Sequence, residues 1–165
     1  IRLMGVLFIA AGSAWLGFGA AGRLGARTRA LEELAEGLGR MARELELELP
    51  TAQTTDTYDD HGGFHGDGLL HTELTFSPED GARVEEAVSH HPSGRWNPFP
   101  MDDKMESFLY RGGAAELAGW TVPERGWWYL LDRREGSMFQ RSSFNYTLAV
   151  YDSAAATLSY LEFDT

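Results

Sequence analysis

Seven side chains able to hold a metal ion or move a proton crowd into sixteen residues: Asp56, Asp59, Asp60, His61, His65, Asp67 and His71. Imidazole and carboxylate together suit zinc, manganese or iron. His61, His65, Asp67 and His71 form the candidate metal set. A divalent ion is accordingly the only cofactor the sequence suggests, and a metal-dependent hydrolase is the enzymatic reading. His61 and His65 have the i, i+4 spacing of one helix face, but Gly62, Gly63 and Gly66 argue against a helix there. No established metal-site spacing is matched. The plainer reading is a turn, with Asp67 bonding backbone amides between Gly66 and Gly68. On that reading His71 sits on the outer face of the next strand, opposite Leu70, Thr72, Leu74 and Phe76, and meets solvent.

Other chemistry is thinly represented. The chain has no cysteine, which excludes disulfide scaffolds, zinc-thiolate sites, Fe–S clusters and thiol nucleophiles. Ser142 and Ser143 follow Arg141, but no nucleophile elbow surrounds either. Arg141 is expected to pair with an acidic neighbour, and Asp132-Arg133-Arg134-Glu135 to form a salt-bridged surface. Charge is uneven along the chain. Residues 1–49 hold six Arg and six Glu, whereas residues 50–165 hold eight basic and nineteen acidic side chains, a net −11. That field repels phosphates, so a nucleic-acid partner is not expected.

The cluster must be carried by an α+β domain. Thr51–Asp60 is polar and reads as a linker, giving 50–60 as the boundary and 61–165 as the domain. Alternation from Leu70 to Phe76 predicts a strand. Ser77-Pro78-Glu79-Asp80 predicts a helix start, with Ser77 as the cap. A loop is expected at Arg95–Pro100, and a short helix from Asp102 to Arg111, ended by Gly112-Gly113. Gly126–Leu131, Phe144–Tyr151 and Thr157–Phe163 read as strands, with Phe144, Tyr146, Leu148 and Val150 on one face. The sum is a mainly antiparallel sheet of about four strands with two short helices. The tryptophans, Trp120 included, are mostly core candidates.

The N-terminal third has another character. No charge lies between Arg2 and Arg23. Residues Leu3–Gly22 number twenty, and at about 1.5 Å each they make roughly 30 Å, the thickness of a bilayer core. This predicts a single transmembrane helix, with the lipid bilayer as a partner, and Ser13, Gly17 and Ala21 suggest close approach by another membrane protein. A cleaved signal peptide is the alternative. Leu24, Leu31, Leu34, Leu38, Met41, Leu45 and Leu49 then predict an amphipathic stalk helix up to Pro50, so 1–49 is one unit. Four arginines follow the span closely and only Arg2 precedes it. That favours a cytoplasmic domain, with sidedness depending on what lies before Ile1.

Two resemblances bear on these parts. Residues 1–49, with Gly17-Phe18, the arginines that follow and the Leu-rich acidic helix, resemble the start of stage III sporulation protein AB of endospore-forming bacteria. That likeness implies an anchor serving the sporulation membrane machinery. Residues 51–165 resemble a family of small uncharacterised clostridial and bacillar proteins. The matching segments are HGGFHGDG (His61–Gly68), WNPFPM (Trp96–Met101), GWWYLLDR (Gly126–Arg133) and RSSFNYTLAVYDSAAATLSYLEFDT (Arg141–Thr165). This likeness implies an exported or membrane-anchored protein and supplies no activity. The expectation is a membrane-anchored bacterial domain, a non-catalytic binding or structural module of the cell envelope. The sporulation component and the metal-dependent hydrolase are the alternatives.

Overall fold

The computed structural model describes residues 31–61 and 67–165. They fall into two compact units, divided between Glu46 and Leu47.

In the first unit, residues 31–45 form a helix, α1. It stops before Pro50 because Glu46 adopts a left-handed backbone (φ 55°). The Leu47 side chain, beyond that break, is buried. Leu45 and Leu49 therefore do not continue one helical stripe.

The membrane expectation needs correction. No helix among the described residues is long and apolar enough to cross a bilayer. α1 carries Glu32, Glu33, Glu36, Arg40, Arg43 and Glu44, a charge density that hydrocarbon would not accept. Leu3–Gly22, where the span was expected, lies outside the described residues. The fold therefore carries no supported transmembrane helix.

The second unit is built on a six-stranded sheet, with every neighbouring pair antiparallel, in the order β1-β2-β6-β5-β4-β3. The strands are β1 (Thr54–Asp59), β2 (Gly68–Thr75), β3 (Trp96–Pro98), β4 (Gly126–Asp132), β5 (Asn145–Asp152) and β6 (Thr157–Asp164). The helices are α2 (Pro78–Ser89), α3 (Asp103–Tyr110) and α4 (Ala114–Leu117). In this unit six strands replace the expected four, and three helices replace the expected two. β1 occupies the predicted linker, and its six residues are all exposed, so no apolar alternation marks it. β3 is three residues long and lies in the predicted loop.

Local chemistry explains the helix ends. Ser77 caps α2, its hydroxyl accepting from the Asp80 amide at 3.1 Å, with Pro78 in the first turn. Asp102 caps α3, accepting from the amides of Lys104 and Met105.

Both sheet faces are covered in part. On one, Tyr129, Tyr151, Leu158 and Tyr160 are buried. There α2 closes on β5, with the Tyr151 hydroxyl donating to the Gly81 carbonyl at 2.6 Å. On the other, Tyr146, Leu148, Val150 and Leu161 join Leu109, Tyr110, Ala114 and Ala115 from α3 and α4 in one apolar cluster. Phe108 of α3 extends it, meeting the rings of Phe139 and Phe144 at 5.4 and 5.5 Å. This second cover reaches over β4, β5 and part of β6. It leaves β1 and β2 to form the floor of an open site.

Candidate functional site

Register fixes which side chains share that open floor. Asp56 on β1 stands opposite Glu73 on β2, and Glu73 stands opposite Ser159 on β6. Val150 and Trp128 continue the row into the apolar cluster. One step along, Tyr58, His71, Leu161 and Leu148 make a parallel row. The Tyr58 and His71 rings lie 5.6 Å apart at 34°. Each row therefore runs from polar on β1 to apolar on β5.

The wall above this floor comes from the end of α4. The Gly119 amide donates to Glu116 at 2.9 Å, and the Trp120 amide donates to Ala115 at 2.8 Å. With Gly119 left-handed at φ 75°, these bonds make a Schellman ending. The reversal sets Trp120 beside the sheet. Tyr110, the last residue of α3, stands next to it in the wall.

The result is a cavity of about 330 Å³ lined by Asp56, His71, Glu73, Tyr110, Trp120 and Ser159, among others. That is the small end of the usual size for small-molecule sites, about 300–1,000 Å³. Three lining side chains each carry a polar atom that is buried away from solvent and has no hydrogen-bond partner among the described residues: the Tyr110 hydroxyl, Trp120 Nε1 and His71 Nδ1. Tyr110 is only 9% exposed. Burial, and then the charge of Glu106, push its phenol well above the ordinary value, so it stays a neutral donor. Ser159 donates to Glu73 at 3.5 Å.

His71 is also in the wall of a second, adjoining cavity of about 590 Å³, with Tyr58, Asp60, Asp67 and Phe163. The two spaces together make a groove along β2, with His71 between them.

The predicted metal set divides across this geometry. His71 and Asp67 line the second cavity. His61 turns elsewhere: its Nδ1 lies 2.8 Å from Asp59, and its Nε2 lies 3.8 Å from Asp164. His65 lies outside the described residues. Among the described residues no three His, Asp or Glu side chains converge as metal ligands. Asp60 has a structural task, accepting the Leu69 amide at 2.6 Å to close the β1–β2 turn. Gly68 fits the same turn, since a Cβ there would come within 2.7 Å of the His61 backbone. His71 is not fully solvated as expected; it is half-buried, with its ring 5.6 Å from that of Tyr58 on β1.

Elsewhere, Arg141 pairs with Asp132. Arg134 donates to Ser143 at 2.6 Å, so that serine is engaged in holding the chain end. Asp132 and the two arginines after it thus form a polar brace between β4 and β5.

Trp120, Tyr110 and Glu73 were not singled out from sequence as site residues. The available signal was parity. Asp56 with Tyr58, and His71 with Glu73, are i, i+2 pairs, and each pair shares a face once both segments are read as strands. No family model, curated protein or solved structure matches this chain.

Proposed function

We propose that this chain is a non-catalytic binding module whose recognition site is the cavity between the β1–β2–β6 floor and Trp120. The observation that carries this reading is the cavity itself, about 330 Å³ between the polar strand residues Asp56, Glu73 and Ser159 and the wall of Tyr110 and Trp120. The contact of Ser159 with Glu73, and not with His71, suits holding a ligand better than activating a nucleophile.

The test uses a set of small polar fragments, neutral, anionic and cationic, with ligand-observed NMR. Wild type is compared with Ala118→Phe, which fills the cavity from its wall. Fragments are expected to bind wild type and to lose binding in the filled variant, whose circular dichroism stays unchanged. Equal binding to both, or binding to neither, contradicts the reading.

A further inference from the structure

The two edges of the sheet are finished differently. β3 is three residues long and ends on Pro98, whose nitrogen has no hydrogen to offer a further strand. β1, at the other edge, runs for six residues, contains no Pro, Lys or Arg, and pairs with β2 one for one without a bulge. All six residues are exposed, and Tyr58 keeps a large ring at 51% exposure. An edge in this state is a template for another strand.

The ladder shows which backbone groups point outward. The Asp60 amide donates to the Leu69 carbonyl, and on the β6 side of β2 the Phe76 amide donates to Ala156. Thr54, Asp56 and Tyr58 therefore turn their backbone groups toward β2, and Thr55 and Thr57 turn theirs to the edge. The hydroxyls of Thr57 and Thr72, 3.2 Å apart, agree with this, because side chains approach most closely at a pair that exchanges no backbone bonds.

A second β1 laid antiparallel on this edge must bring outward residues to outward residues. Two such registers pair all but one residue of the strand. One sets Asp56 opposite Asp56, and like charges in that position are destabilising. The other is centred on Thr57. It sets Thr57 opposite Thr57, Asp56 opposite Tyr58 and Thr55 opposite Asp59, so no carboxylate has another directly opposite. Asp56 and Tyr58 then form a pair without backbone bonds, close enough for the phenol to donate to the carboxylate. The acidic residues thus block one register and leave the other.

We propose that this chain pairs with a second copy of itself through β1, antiparallel and two-fold about Thr57, joining two six-stranded sheets into one. The self-complementary register of TTDTYD favours a copy over a strand of another protein. Each copy carries a net charge of −11, so the copies repel at long range, and pairing strengthens as salt screens that repulsion.

The chain has no cysteine, so a single introduced thiol reports the register. In the Thr57-centred pair the two residues 57 lie about 5.5 Å apart at Cα, within disulfide reach, whereas the two residues 55 are displaced by roughly 14 Å along the strands. Full-length Thr57→Cys is expected to form a disulfide-linked dimer at least about tenfold faster than full-length Thr55→Cys in the same mild oxidant. Its rate should rise about threefold from low to high salt. Adding Thr55→Pro to Thr57→Cys removes an outward amide hydrogen and spares the β1–β2 bonds, and it should slow crosslinking at least about fivefold with unchanged circular dichroism. Adding Tyr58→Ala, which leaves the backbone alone, should slow it about threefold. Equal crosslinking at positions 55 and 57 overturns the register. No crosslinking at position 57, with the chain monomeric in sedimentation equilibrium, overturns self-pairing and leaves the edge to a strand of another protein. Crosslinking that slows as salt rises overturns it as well, because the copies would then be meeting through opposite charges.

Discussion

Removing a hydroxyl from a buried tyrosine ordinarily weakens a protein; at Tyr110 the opposite is expected. The Tyr110 hydroxyl is buried without a partner among the described residues, whereas the hydroxyl of Tyr151, a residue buried more deeply still, donates to the Gly81 carbonyl at 2.6 Å. An unpaired buried hydroxyl costs about 1–3 kcal/mol, and a made hydrogen bond contributes about 1 kcal/mol. Tyr110→Phe is therefore expected to raise stability by about 1 kcal/mol and Tyr151→Phe to lower it by about 1 kcal/mol. The two variants differ by one atom each and keep the same ring packing, so cavity terms cancel. With a urea slope near 2 kcal/mol/M, typical of a domain this size, the midpoints should separate by about 1 M, with wild type between them. Equilibrium urea unfolding followed by far-UV circular dichroism measures this. A Tyr110→Phe midpoint as low as that of Tyr151→Phe would refute the reasoning, because the Tyr110 hydroxyl would then have a protein partner.

Gly119→Ala should cost about 1 kcal/mol in the same assay, since a Cβ is unfavourable at φ 75°, and it should also weaken fragment binding by displacing Trp120. Leu161→Ala, at a fully buried position of central strand β6, should cost about 2–5 kcal/mol by urea unfolding. Stability should also fall steeply in alkali. Burial pushes the phenols of Tyr146 and Tyr151 up to about 12, with Glu85 and Asp152 adding to the shift at Tyr151. The folded phenols keep their protons between pH 10 and 12 while the unfolded chain releases its own. The unfolded state therefore binds fewer protons in that window, and stability drops as pH rises, by up to nearly 3 kcal/mol per tyrosine. Urea midpoints at pH 8, 10 and 11 measure this, and Tyr146→Phe should flatten the decline.

Legibility in the sequence followed periodicity. Strands β4, β5 and β6 alternate or run apolar, and each stands close to its expected limits. The α2 and α3 starts were readable from Ser77-Pro78 and Asp102, because capping chemistry is local. Strand β1 was not readable, since TTDTYD has no apolar face to bury; it exists because β2 offers an unpaired edge. The spanning helix drawn from Leu3–Gly22 has no support in the described helices. The metal set failed as a group for a reason of turn geometry: Asp59 takes His61, and Asp60 takes the Leu69 amide. Sequence proximity among histidines says nothing about which way each faces. The cavity joins residues as distant as Asp56 and Ser159, and only the strand order brings them together.

The central claim is that the cavity beside Trp120 is a recognition site. The most direct measurement is the Trp120 indole N–H resonance in a ¹⁵N–¹H spectrum, assigned by its loss in Trp120→Phe, during titration with the polar fragments. The account predicts a saturable shift of that one resonance as a ligand fills the space beside the ring, while the indole of Trp96, buried on the opposite sheet face, stays in place. A Trp120 resonance that does not move at saturating probe, or moves only together with every other indole, would contradict it.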